Sequence, residues 1–381
     1  MKLGWKRPVV WVAGVAAVCL LGVASVRGQA GTAEVPLMTD DLYTSVQLFK
    51  GIPVDTFLDA MGMFASSLGT DCTYCHVKAA ALDRAEFATV TPLIQRARQM
   101  IVMMRTINET NFRGEPSVTC FTCHRGSFAP VTAPSLALQY GTPDDNPNVM
   151  DFVPETRISV EQVFDRYIKA LGGEERLAGV TSFVARGTYA GYDTGFEEYP
   201  VEIFAVAPNQ RTWTVATIDG ASPRVFDGNN GWRAGPDAPA PILPLTAGNL
   251  DIARMEALIA FPAGIRLAFD EWEVGTTFID DREVQLVQGT RAGQLPLNLY
   301  FDAESGLLVR MVRWNSTPVG PVPIQVNYTD YRDVAGVRTP FSWTFTQTHM
   351  EMTIQLSEVQ PNAPVDAARF ARPVPGPPLV R

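Results

Sequence analysis

The sequence predicts a multidomain α plus β chain: a helical N-terminal module, then a curved antiparallel β-sheet with packed helices. Three observations predict it. Between residues 53 and 108 apolar side chains recur at helical spacing. Beyond Thr181 they mostly alternate with period two, between turn clusters of Gly, Asn and Asp. An aperiodic, proline-rich stretch separates the two patterns. The 381 residues, 46% hydrophobic and 19% charged, suffice for two or three domains of roughly 100–200 residues. They do not read as a disordered, collagen-like or polytopic membrane chain.

The predicted divisions are residues 1–30, a targeting segment; 31–43, a linker; 44–130, the helical module; 131–157, a second linker; 158–372, the sheet; and 373–381, a tail. In the first segment Lys2, Lys6 and Arg7 precede an 18-residue run, Val9 to Val26, whose only polar member is Ser25. Gly28 and Ala30 then suit a cleavage site. This reads as an export signal, or as an uncleaved anchor long enough to span a bilayer. Both readings put the rest of the chain in the periplasm or another extracytoplasmic space. The first thirty residues hold four basic and no acidic side chains, leaving 27 basic against 40 acidic in the remainder. Such an acidic body argues against nucleic acid as a partner.

Five cysteines are present, and Cys19 falls in the apolar run. An exported chain would ordinarily pair the other four as disulfides. Their spacing says otherwise. Cys72-Thr-Tyr-Cys75-His76 and Cys120-Phe-Thr-Cys123-His124 are both C-x-x-C-H and use two of the three histidines. Cysteines at i and i+3 lie about one helical turn apart, so both thiols can add to the vinyl groups on one porphyrin edge. Histidine at i+4 shares that face and can place its imidazole under the iron. Zinc pairs of C-x-x-C usually stand about 15–20 residues apart, whereas Cys75 and Cys120 are far more distant, and a redox disulfide needs no following histidine. The motifs therefore predict two covalently bound c-type haems on Cys72, Cys75, Cys120 and Cys123, with His76 and His124 as iron ligands.

The sixth iron position decides between carrier and enzyme. Ahead of the first motif, Pro53 to Leu68 reads as a helix with Gly69 as its stop. Phe57, Leu58, Met61, Phe64, Ala65 and Leu68 form its apolar stripe, with Met63 off it. Ahead of the second, Thr91 caps and Pro92 opens a helix to about Asn108. Leu93, Ala97, Met100, Met104 and Ile107 share a face, with Met103 at the margin. Any of these methionines also suits ordinary core filling.

The segment from about Thr44 to Pro130 resembles half of the tetrahaem cytochrome subunit of photosynthetic reaction centres. The residues that carry the resemblance are Met61 through His76, Ala97 through Asn108, and Val118 through Gly126, with its Cys-His-Arg-Gly ending. The resemblance implies a helix, a turn and a C-x-x-C-H segment per haem, with a helix methionine as sixth ligand. By position these are Met61 for the first haem and Met100 for the second. Two haem motifs stand where the family has four, and nothing later resembles the missing pair.

After the aperiodic linker, Ser159 with Gln162 forms a capping box for a helix ending at Gly172-Gly173. Strands are expected around Val201/Ile203/Ala205, Trp213/Val215, Val284/Leu286 and Phe341/Trp343/Phe345. Turns are expected at 227–231, 302–306 and 333–336, and Leu250 to Ala260 is a helix. The pattern fits an antiparallel curved sheet with a helix against it. It resembles the half-barrel of periplasmic lipoprotein carriers, through Ala-Leu-Gly-Gly173, Val201 through Pro208, Phe226 through Trp232, Leu299 through Leu307 and Tyr331 through Val337. That resemblance implies a docking scaffold or a holder of an apolar ligand.

Other chemistry is sparse. His349 is an alternative axial ligand or a strand-end histidine. Asp144-Asp145 and Asp280-Asp281 suit solvated turns. Arg98, Arg105 and Arg125 suit haem propionates or plain surface. The sequence reading is therefore an exported dihaem electron carrier, not an enzyme, serving redox protein partners that include a membrane-bound electron-transfer complex. Its alternatives are an open-iron, peroxidase-like enzyme, and a lipid or lipoprotein binder with haem as redox sensor.

Overall fold

Pro53 and Gly69 limit the first long helix, as their chemistry requires: proline lacks an N–H to donate, and Gly69 takes a left-handed φ of +65°. In the computed structural model, which describes residues 34–375 apart from 82, 135, 137–157 and 237, α1 is Thr39–Leu42 and α2 is Val54–Leu68. The first motif forms α3 (Cys72–Cys75), two 3-10 segments follow, and α4 spans Pro92–Asn111. That is three residues beyond the expected end. Thr91 Oγ1 caps α4 by accepting from Ile94 N at 3.2 Å. The second motif forms α5 (Cys120–His124). The run Val9–Val26, most of the 131–157 linker, Asp144–Asp145 and the end of the tail lie outside the described residues.

The sheet part opens with α6 (Val160–Leu171), whose Ser159–Gln162 capping box is present, and α7 (Glu174–Ala178). Thirteen antiparallel strands follow: β1 (Ser182–Gly191), β2 (Tyr199–Val206), β3 (Gln210–Thr217), β4 (Gly220–Phe226), β5 (Gly231–Ala234), β6 (Ile242–Pro244), β7 (Glu271–Ile279), β8 (Arg282–Thr290), β9 (Leu297–Asp302), β10 (Leu308–Thr317), β11 (Gly320–Val334), β12 (Val337–Gln347) and β13 (Met350–Pro361). Their order is β6-β5-β4-β3-β2-β1-β13-β12-β11-β10-β9-β8-β7. Two meanders thus meet where β1 pairs with β13. The chain passes from one edge to the other after β6, through α8 (Ala247–Ala260) and a 3-10 segment. Every expected strand, turn and helix of this part is found. Asp280 and Asp281, with φ of 49° and 62°, make the β7–β8 turn.

Two cores result. In the larger, Phe164, Tyr167 and Leu171 of α6 and Ile252 and Met255 of α8 pack on Ile203, Leu299 and Met311 of the strands. The smaller lies under the motif helices and contains Phe49, Ala60, Met63, Ile101 and Met104. Val319 of the β10–β11 turn and Val322 of β11 complete it. The sheet therefore supplies part of the core beneath the cysteine motifs.

The stripe Phe57, Leu58, Met61, Phe64, Ala65 and Leu68 is only half-buried. The buried face of α2 is Asp55, Asp59 and Gly62, with Ala60, Met63 and Ser67 beside them. The reason is chemical. Thr246, Asn249 and Asn315 on the sheet side offer donors, so carboxylates are satisfied there at less cost than apolar groups facing amides.

Candidate functional site

Each cysteine motif begins at a capped single turn. Asp71 Oδ1 accepts from Thr73 N at 2.8 Å and Thr73 Oγ1 at 2.7 Å, fixing the start of α3. These bonds hold the Asp71 carboxyl below its usual range. Thr119 and Thr122 cap α5 reciprocally, with Thr119 N donating to Thr122 Oγ1 at 3.0 Å. None of the four described cysteines is in a disulfide; Cys72 and Cys123 are exposed, and Cys75 and Cys120 half-buried. Burial raises the pKa of Cys72 and Cys75, and pushes Cys120 up to about 11.

The two histidines differ. His124 Nδ1 lies 3.1 Å from the carbonyls of both Ser127 and Phe128. Carbonyls only accept, so Nδ1 carries the proton and Nε2 is the free nitrogen. His76 Nδ1 is buried without a hydrogen bond of normal geometry. Burial lowers the His76 pKa, opposed by the backbone of Phe87, whose ring stands edge-on 4.9 Å away.

The motifs are tied to the helices and to each other. Gly126 N, in the Cys-His-Arg-Gly ending, donates to Ser67 O of α2 at 2.9 Å. A side chain on Gly69 would stand 2.2 Å from the Gly126 carbonyl, so glycine is required there by contact as well as by φ. Thr91 Oγ1 donates to Cys75 O at 2.6 Å, joining the start of α4 to the first motif. Tyr74, inside the first motif, packs edge-on against Phe128, just after the second, at 5.3 Å. Asn108, buried in α4, donates to Val118 O at 2.8 Å and accepts from Val118 N at 2.9 Å. It thus carries α4 onto the residues that lead into α5.

Of the methionines, Met61 and Met100 are half-buried, Met63 and Met104 are buried, and Met103 is exposed. Met61 and Cys120 both flank the smaller core. Arg98 and Arg105 donate to the carbonyls of Ser45 and Leu48, while Arg125 is the left-handed cap of α5. His349 is at the β12–β13 turn, against the polar face of α2. A side chain on Gly62 would come within 2.5 Å of its Nδ1. This places it at a strand end, away from the half-buried stripe that carries Met61.

This donor set fits covalent haem. It offers two pairs of unpaired thiols, one histidine per pair, and in His124 a tautomer that frees Nε2. Half-buried apolar stripes stand on the helices that precede the motifs.

Residues 26–142 match the family of the photosynthetic reaction centre cytochrome C subunit.

The match bears out the resemblance drawn from the motifs. The photosynthetic reaction center cytochrome c subunit of Roseobacter denitrificans is 31% identical over 100 residues, 24% of this chain and 26% of that protein. This chain thus spans about a quarter of the relative's length. Among solved structures, a LolA superfamily protein from Nitrosomonas europaea aligns with a TM-score of 0.38 and 10% identity, over 55% of this chain and 97% of that one. A lipoprotein-sorting protein domain from Vibrio parahaemolyticus aligns with a TM-score of 0.37 and 9% identity, over 51% and 93%.

Sequence reasoning missed Asp55, Asp59 and Asn108 in the cytochrome segment, and Val319 and Val322 beneath it. Asn108 had a readable signal, being one helical turn after Met104 on a buried face. Val319 and Val322 had none, since they lie about two hundred residues from the motifs.

Proposed function

We propose that this protein is an extracytoplasmic dihaem c-type cytochrome that passes single electrons between redox protein partners, one of them a membrane-bound complex. The observation that carries this reading is the doubled arrangement of a capped C-x-x-C-H turn tied to a methionine-bearing helix. Cys72 and Cys75 would hold the first haem and Cys120 and Cys123 the second, with His76 and His124 as proximal ligands. Met61 and Met100 would be the sixth ligands, and their half-buried sulfurs support that role better than exposed Met103 does. Each haem, once bound, supplies an iron that changes charge by one electron. The chain's own residues fix the imidazole orientation, exclude water with the smaller core, and hold the two motifs against each other through Tyr74 and Phe128.

A ligand pair of His and Met closes the iron to small molecules, so the carrier reading separates from the open-iron enzyme by one test. Carbon monoxide added to the reduced protein should leave its spectrum unchanged. Rapid binding to either haem would favour the enzyme. For the sheet part we propose a scaffold that carries the cytochrome segment and accommodates an apolar ligand between α6, α8 and the strands. The run Val9–Val26 would deliver the chain out of the cytoplasm, where haem attachment to reduced thiols takes place. Expression without residues 1–30 should yield protein lacking covalent haem, and normal loading in the cytoplasm would contradict this.

A further inference from the structure

Two cavities meet beneath the helix-covered face of the sheet. The first, about 120 Å³, is apolar and includes Leu171, Phe183, Ile259 and Trp343. The second, about 90 Å³, lies between α2 of the cytochrome segment and strands β3 to β5. Trp213, Phe345 and Met352 line both, so the two spaces are neighbours.

The second cavity has a half-buried cation with an unpartnered nitrogen in its wall. Arg224 of β4 lines it, and its Nε is buried without a hydrogen-bond partner. No carboxylate of the described residues lies within ion-pair distance of this guanidinium. Its guanidinium carbon stands 6.0 Å from the centre of the Phe345 ring. Burial lowers the Arg224 pKa, and Glu256 and Asp59 oppose that only through space. His349 Nδ1, on the same wall, is likewise buried without a partner. Asp55, Asp59 and Asp193 also line the cavity, and each accepts hydrogen bonds from protein donors, Asp193 from Tyr189 OH at 2.6 Å. Asp55 accepts from Thr246 N and Oγ1 at 2.5 and 2.6 Å, and Asp59 Oδ2 from the side-chain amides of both Asn249 and Asn315.

A buried guanidinium N–H without an acceptor is costly, and an anionic oxygen brought beside it offsets that cost. Guanidinium is also the side chain whose planar fork best fits a carboxylate. We infer that the joined cavities bind a single-chain, carboxylate-headed amphiphile, its head on Arg224 with His349 as a second donor, its chain running past Trp213 and Phe345 into the apolar cavity. The small volume around Arg224 favours a carboxylate over a phosphodiester head. The inference rests on the reading of the sheet part as a holder of an apolar ligand, and adds the head group and its place against α2.

The test is calorimetric titration of the delipidated full-length protein at pH 8 with dodecanoate, dodecyl phosphate and dodecanol, which share one tail. Dodecanoate should bind at least about tenfold tighter than dodecanol, as a charged hydrogen bond implies, and tighter than dodecyl phosphate. Arg224→Met should bring dodecanoate down to the affinity of dodecanol. Equal binding of dodecanoate and dodecanol by the unaltered protein would overturn the head-group assignment while leaving the apolar-ligand reading intact. Tighter binding of dodecyl phosphate would overturn the choice of carboxylate. Binding of none of the three would overturn both readings. The comparison on the unaltered protein decides even where Arg224→Met fails to fold.

Discussion

His349 shows how much a single side chain can couple the two parts of the chain. Burial, with Arg233 adding to it, pushes its pKa down to about 4. A base depressed from about 6.5 keeps its full contribution above pH 6.5 and loses it as pH falls through the window to 4. The loss amounts to about 2–3 kcal/mol. Asp59, across the same interface, is raised to about 6 by burial, and works with the opposite sign: its contribution is complete below 3.8 and is lost as pH rises through 6. The variant His349→Gln, rather than the unaltered protein's own curve, therefore isolates the histidine. Between pH 7 and pH 4 the stability advantage of the unaltered protein over this variant should shrink by that amount in denaturant titrations. A difference independent of pH would refute the assignment. The methionines are read at the same scale. Met61→His and Met100→His should each lower one haem's potential, since imidazole in place of thioether disfavours ferrous iron. Exposed Met103→Leu should change neither haem. Loss of a Met–iron absorption band from Met103→Leu would place the ligand one turn away.

At the scale of elements, α2 is held from two sides. Its polar face is fixed to the sheet through Asp55 and Asp59, and its end to the second motif through Ser67 and Gly126. Asp55→Ala removes the acceptor for Thr246 N and Oγ1 and should cost about 1–3 kcal/mol, read as a fall in melting temperature. Gly69→Ala forces a side chain onto the Gly126 carbonyl in a left-handed conformation. A loss of about 1–3 kcal/mol is expected, and an unchanged melting temperature would mean that the turn is not so constrained. The bounds of α2 and the start of α4 were legible because Pro53, Gly69, Thr91 and Pro92 act locally. The buried face of α2 was not. Periodicity reports which face is apolar, and here the donors of Thr246, Asn249 and Asn315 made the polar face the better one to bury. The motif residues were legible for a related reason. The spacing of C-x-x-C-H is set by the dimensions of a helical turn and a porphyrin edge, both independent of the rest of the fold.

For the whole molecule, the sheet is more than an appendage. Val319 and Val322 sit in the core beneath the motifs, and α2 closes a cavity whose other walls are strands. Val319→Asp would bury an unpaired carboxylate among Phe49, Met63 and Met104. It should destabilise the cytochrome segment by several kcal/mol and be visible as faster proteolysis between residues 44 and 130. Equal protection would show that the two parts are energetically independent. Strand pattern and turn chemistry revealed the sheet's existence in the sequence, but its contact with the motifs depends on residues about two hundred positions apart, which no local pattern reports. The central claim is two covalent haems on one chain, and haem quantified per polypeptide after acid extraction tests it most directly. The unaltered, exported protein should retain two equivalents, and Cys72→Ala with Cys75→Ala should retain one. A single equivalent in the unaltered protein, or two in the variant, would contradict it.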